Sequence, residues 1–214
     1  MKVEIWSDIM CPFCYIGKRH FEAAMKEFSH AGKIQIEWKS FQLDATIPKM
    51  EERVDVYQYL ADKKGMSLEQ SKAMHENVVQ MAKNAGLNFN FDRAIVGNSK
   101  DAHRLIQFSK TKGVGDEAEE ALFKAYFTDG KNMANIYDLI EIGTSIGLDA
   151  VELKSILESD AFAYEMNQDI QEAQNIGVQG VPFFVFDRKY AVSGAQPVEV
   201  FLQTLETAFA ETNQ

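Results

Sequence analysis

Val3-Glu4-Ile5-Trp6-Ser7-Asp8-Ile9-Met10-Cys11-Pro12-Phe13-Cys14 opens the chain and sets its architecture. Val3 and Ile5 alternate with Lys2 and Glu4, Trp6 follows, and Ser7-Asp8 is turn-like, so the segment Val3 to Ser7 is expected to form a short strand. Cys11-Pro12 then opens a helix. Proline is tolerated in a first helical turn because its missing N–H has no intrahelical partner there. Tyr15, Phe21, Ala24, Met25 and Phe28 continue at helical spacing, and Gly32 is the expected stop. A second strand is expected over Ile34 to Phe41, with Ile34, Ile36 and Trp38 on one face. The chain therefore begins β–α–β.

Outward from this start, the pattern from about Met50 to Gly177 is helical. Ser67-Leu-Glu-Gln70 and Asp149-Ala-Val-Glu152 have the form of capping boxes, Asn98 suits an N-cap, and Gly86, Gly147 and Gly177 suit helix ends. Five to seven helices are expected, with no strand between them. Leu105, Phe108, Leu122, Phe123, Tyr126, Leu139, Ile140, Phe162, Met166, Ile170 and Ile176 form the candidate core. After Gly180 the chain turns strand-like again: Val181-Pro182-Phe183-Phe184-Val185-Phe186, a turn at Asp187-Arg188, then Tyr190 to Gly194. The short loop predicts an antiparallel hairpin, and Pro197 to Phe209 an amphipathic closing helix. The reading is an α/β domain of residues 1–48 and 178–214, β–α–β followed by β–β–α, interrupted by an all-helical insertion over 49–177.

With 46% hydrophobic and 25% charged residues, the 214-residue chain has ordinary globular composition. No apolar run reaches the ~18 residues a membrane helix needs, and the N-terminus enters a strand without a signal-like stretch, so a cytoplasmic location is expected. Net charge is −10, which repels nucleic acid and anionic membrane surfaces and argues against both as partners. Only two cysteines are present. That excludes a disulfide-stapled scaffold and leaves metal or redox chemistry for a pair three residues apart.

A Cys-x-x-Cys pair at a helix start gives its two thiols different work. Cys11 lies where free N–H groups and the positive end of the helix dipole favour an anion, which lowers a thiol pKa and makes Cys11 the expected nucleophile. Cys14, one turn on, can resolve a mixed disulfide on Cys11 and is the expected resolving thiol. The competing reading, half of a zinc site, would need two more ligands from His20, His103 or carboxylates; no metal is expected. Far along the chain, Gly180-Val181-Pro182 precedes an apolar strand. A cis bond before Pro182 would turn the backbone of Val181 outward, where it could pair with a substrate strand beside Cys11. Phe13, between the cysteines, is either a substrate-facing wall or a core residue. Asp8 either shapes the turn or perturbs the thiol.

Taken in order, Cys11-Pro-Phe-Cys14 after a first strand, the helical insertion, Gly-Val-Pro182-Phe-Phe-Val and Ser193-Gly-Ala-Gln-Pro197 resemble the DsbA-like thioredoxin-fold superfamily, in its cytoplasmic FrnE-type branch. The resemblance is essentially full length, and Asn98-Ser-Lys-Asp-Ala-His103-Arg104-Leu and Ala121-Leu-Phe-Lys-Ala-Tyr126-Phe within the insertion share it. Phe13 departs from a tryptophan common in that family, which bears on redox potential and not on the chemistry. The resemblance implies an α/β thioredoxin-like fold with a helical insertion and a protein-disulfide oxidoreductase or isomerase. In it Cys11 attacks, Cys14 resolves, and Phe13, Val181 and Pro182 bind a protein or small-molecule disulfide or thiol. It requires no metal or organic cofactor, glutathione entering only as an optional co-substrate. It also implies that His103 lies near the active site, where it could hydrogen-bond the Cys11 thiolate or shuttle a proton, against the alternative of a core or surface histidine. Two further functional classes stand beside this one. Kappa-class transferases and chromene-carboxylate isomerases share the architecture and act on small molecules with glutathione, but typically carry serine at the first position. A non-catalytic binding module or holdase would not need Cys11 and Cys14 at all.

Overall fold

A computed structural model of the protein describes residues 1–48 and 54–212. In chain order it contains β1 (Lys2–Ser7), α1 (Pro12–Glu27), β2 (Gln35–Ser40), β3 (Val54–Asp55), α2 (Val56–Lys64), α3 (Leu68–Asn84), β4 (Ile95–Val96), α4 (Lys100–Thr111), α5 (Gly115–Lys124), α6 (Ile136–Ser145), α7 (Ala150–Leu157), α8 (Ala163–Asn175), β5 (Phe183–Phe186), β6 (Tyr190–Ser193) and α9 (Val198–Thr212). The chain divides into two compact units, Met1–Leu43 with Met166–Gln214, and Asp44–Glu165. The expected start of the helical block near Met50 lies outside the described residues.

In the first unit four strands form one sheet in the order β2-β1-β5-β6, with β1 parallel to β2 and antiparallel to β5. Strand alternation sends Val3, Ile5, Phe184 and Phe186 to one face. There Phe21 of α1 and Phe201 of α9 pack on Phe184, with ring centroids 5.5 and 4.7 Å away. The opposite face carries Trp6 and Val185, which cluster with Ala173 of α8 and Val178. The β5–β6 hairpin turns through Asp187 (φ 50°) and Arg188 (φ 59°), a left-handed pair at the centre of a turn that the Lys189 N–H closes on the Phe186 carbonyl (3.0 Å). Side-chain contacts hold this glycine-free turn: Asp187 accepts from the Lys2 N–H, and Arg188 pairs with the buried Glu4 and with Glu172.

The helical pattern places α8 in the insertion, yet most of the helix belongs to the sheet unit. The Trp6 indole N–H donates to the Asp169 carbonyl (2.9 Å), the Ser40 N–H to the Asp169 carboxylate (3.0 Å), and Lys39 pairs with the same carboxylate (3.1 Å). These polar ties join residues distant in sequence, which periodicity cannot register. Helix α1 ends at Glu27, before Gly32, because Phe28 leaves the helical conformation and buries its ring 5.5 Å from Phe209. Ile36 is exposed on edge strand β2, whose buried positions are Trp38 and Ser40, and Ile176 is exposed just past the end of α8.

The second unit is helical around α4, on which α5, α6 and α7 pack. Leu105, Phe108, Leu122, Phe123, Tyr126 and Leu139 are buried as the spacing predicts. Ser67 and Gln70 make both bonds of a capping box, and Asp149 caps α7. Two short strands interrupt the helices, pairing Val54 with Val96 and Asp55 with Ile95. They are only two residues long, too short to leave an alternation in the sequence. Arg104 is 2% exposed and binds the carbonyls that close α7 and follow it: those of Ile156, Ser159 and Ala161 (2.8 Å), together with the Asp101 carboxylate (3.0 Å).

Candidate active site

Strand β1 ends at Ser7, and the Cys11 N–H donates to the Asp8 carbonyl (2.9 Å), so the turn between strand and helix is tight. Both oxygens of the buried Asp8 carboxylate are engaged: Oδ1 accepts from the Met10 N–H (3.3 Å) and Oδ2 from the Leu43 N–H (2.7 Å). That is the turn-shaping role. Cys11 is the N-cap of α1, extended at φ −89° and ψ 109°, with Pro12 as first helical residue and no acidic side chain in the first turn. Its sulfur thus lies at the end of the helix where unpaired N–H groups point outward.

The Cys11 thiol donates to the carbonyl of Val181 at 3.4 Å, and the Val181–Pro182 peptide is cis. The Pro182 carbonyl accepts from the Gly194 N–H (2.8 Å), which fixes this loop to the end of β6. Cys14 lies one turn into α1, 1% exposed. Burial pushes its thiol well above the usual range and the adjacent Cys11 sulfur adds to the effect, while the Asp8 backbone and the Ser7 hydroxyl oppose it. A thiol so placed holds its proton more tightly than a free cysteine does. Phe13, between the two cysteines, is 39% exposed.

The structure therefore brings Cys11, Cys14, Val181 and Pro182 together in the sheet unit. His103 belongs to the helical unit, where it sits on α4, 1% exposed, with its backbone N–H on the Ser99 carbonyl (3.0 Å). Among the described residues no group of three or more His, Cys, Asp and Glu is placed to hold a metal ion.

A profile of the DSBA-like thioredoxin domain matches residues 2–206. The chain belongs to the DSBA-like thioredoxin family. A probable DsbA oxidoreductase from Streptomyces coelicolor, SCO1869, is 39% identical and superposes with a TM-score of 0.94 over 99% of this chain and 91% of that one. The uncharacterized protein YwbO of Bacillus subtilis is 27% identical over 93% of this chain and 92% of its own. The cytosolic disulfide reductase DsbM of Pseudomonas aeruginosa shares the fold at 15% identity, with a TM-score of 0.68 over 98% of this chain and 99% of that one. No helix among the described residues is long and apolar enough to cross a membrane.

Three features of this DSBA-like chain escape sequence reading. Gly17 sits inside α1 against Pro182 and Ala195, and its trace in the sequence is a lone glycine in a helical pattern. His20, a candidate zinc ligand by type, instead bonds the Gln196 carbonyl through Nδ1 (2.8 Å), tying α1 to the loop after β6. Ser7, at the end of β1, reads as a turn residue and is found beside the Cys14 sulfur.

Proposed function

We propose that the protein is a thiol–disulfide oxidoreductase in which Cys11 attacks and Cys14 resolves. The observation that carries this reading is the Cys11 sulfur, set at the N-cap of α1 and bonded to the Val181 carbonyl at 3.4 Å, with Cys14 one turn behind it. Cys11 is the thiol that meets the Val181 backbone, and the high affinity of Cys14 for its proton keeps the second thiol in reserve. A substrate disulfide is cleaved by Cys11 to a mixed disulfide, which Cys14 then displaces. The Val181 backbone and Pro182 orient the substrate strand, and Phe13 supplies an apolar wall beside it.

No metal or organic cofactor enters this cycle, and its partner is a protein or small-molecule disulfide or thiol. Two cysteines without a stapling role suit a reducing compartment, so the reading places the protein in the cytoplasm, as the cytosolic DsbM is. His103 takes the part of proton shuttle in this reading, and an unchanged pH profile in His103→Gln would remove it. The retained second cysteine favours exchange over a glutathione transferase or isomerase, which needs one nucleophile only.

Reduction of insulin with dithiothreitol or glutathione tests the reading. Wild type should catalyse it and Cys11→Ser should not; equal rates in the two would sink it. Cys14→Ser should accumulate mixed disulfides, whose identification separates protein substrates from glutathione.

A further inference from the structure

Ser7 occupies a position that the strand pattern reserves for an apolar residue. It follows Val3 and Ile5 on the face of β1 that α1 and α9 cover, and it is 1% exposed. Its backbone is spent on the sheet: Ser7 pairs with Ser40, and its carbonyl accepts from the Phe41 N–H (3.0 Å). The side chain is therefore fixed. Its Oγ is buried and has no nitrogen or oxygen hydrogen-bond partner among the described residues. A buried hydroxyl without such a partner is costly, on the order of 1–3 kcal/mol, and calls for a reason.

That reason lies in the first turn of α1, whose Cys14 sulfur is as buried as Ser7 itself. We propose that Ser7 is the side-chain donor that holds the Cys14 sulfur as a thiolate during the resolving step, the Asp8 backbone N–H being its companion. The proposal rests on the exchange reading above and adds a residue to it. In the reduced protein the Cys14 thiol leans on the Cys11 sulfur. Once Cys11 is tied up in a mixed disulfide that acceptor is gone, and the hydroxyl is the group left to meet the new negative charge. The Cys14 thiolate then attacks the Cys11 sulfur. The bond between Cys11 and the substrate sulfur breaks, the Cys11–Cys14 bond forms, and the substrate leaves as a thiolate that ends with the proton Cys14 gave up. The two electrons gained by the substrate disulfide come from the two protein sulfurs.

The test is a single-turnover reaction of the reduced protein with 5,5′-dithiobis(2-nitrobenzoate), which releases one coloured thiolate when Cys11 attacks and a second when Cys14 resolves. In Ser7→Ala the first phase should keep its wild-type rate, while the second slows about tenfold or more and its pH midpoint moves up. Ser7→Thr should restore most of the second-phase rate, and Ser7→Val, which has the shape of that threonine without its hydroxyl, should not. This pair carries the test should the alanine variant fold poorly. Equal second phases in the Thr and Val variants, or equal slowing of both phases, would overturn the role of Ser7 and leave the exchange reading standing. A wild-type protein without any second phase would instead overturn the exchange reading, and this proposal with it.

Discussion

A β-carbon placed on Gly17 would stand 3.0 Å from Cγ of Pro182 and 3.5 Å from the Cα of Ala195. Helix α1 thus approaches the loop that receives the Cys11 thiol as closely as a glycine allows. Alanine in a helix interior ordinarily gains roughly 1 kcal/mol over glycine. Here its methyl group presses on the Pro182 ring, which must give by a few tenths of an ångström, while the Ala195 main chain stays at ordinary contact distance, and overpacking costs about 1–3 kcal/mol. Gly17→Ala should therefore be neutral to destabilising and slow insulin reduction, whereas Gly32→Ala, with nothing within 4 Å, should do neither. Urea midpoints and turnover of the two variants decide the matter; a Gly17→Ala protein more stable than wild type and fully active would show that the approach is not tight.

The second prediction concerns Cys14 and pH. Burial first, and the neighbouring Cys11 second, hold its folded pKa above the unfolded value. The folded state binds that proton more tightly, so the contribution to stability is complete below the unfolded pKa, about 8.5, and is lost as pH rises from there through the folded value. Urea midpoints of the reduced protein should fall more steeply above about pH 8.5 than those of Cys14→Ser. Parallel curves would contradict it.

Arg104 closes α7 by donating to the carbonyls of Ile156, Leu157, Ser159 and Ala161 and to Asp101, entirely within the helical unit. Arg104→Ala should cost about 3–5 kcal/mol, because it leaves a buried carboxylate and several carbonyls without their donor. Arg104→Lys should recover little, since a single ammonium cannot reproduce a planar fork of donors. Chemical denaturation measures both; a lysine variant as stable as wild type would disprove the fork argument.

Asp169 ties α8 to β2 through Ser40 and Lys39. Asp169→Asn keeps an acceptor for the Ser40 N–H, and Lys39 retains Glu37 (3.1 Å) and Glu172 (3.2 Å), so a loss of about 1–2 kcal/mol is expected. Asp169→Ala should cost more, as the buried N–H is then unpaired. Equal losses would place the effect on charge alone.

The sequence carried the fold in its periodicities. Alternation at Val3 and Ile5, the Cys11-Pro12 helix start, the hairpin at Asp187-Arg188 and the capping box at Ser67 are local patterns, and each is found where its spacing puts it. What it missed depended on distant partners. Helix α8 joins the sheet unit through Trp6, Lys39 and Ser40, and Ile36 is exposed because β2 became an edge.

The candidate site divides the same way. That Cys11 caps a helix and Cys14 follows one turn later is fixed by residues 11 to 14 alone, since helix starts are decided by neighbours in sequence. That Cys11 meets the Val181 carbonyl, that Gly17 admits Pro182, and that a serine lies beneath the resolving thiol were decided by the sheet, which aligns β1 with β5. Only that pairing sets elements 170 residues apart within reach of one sulfur.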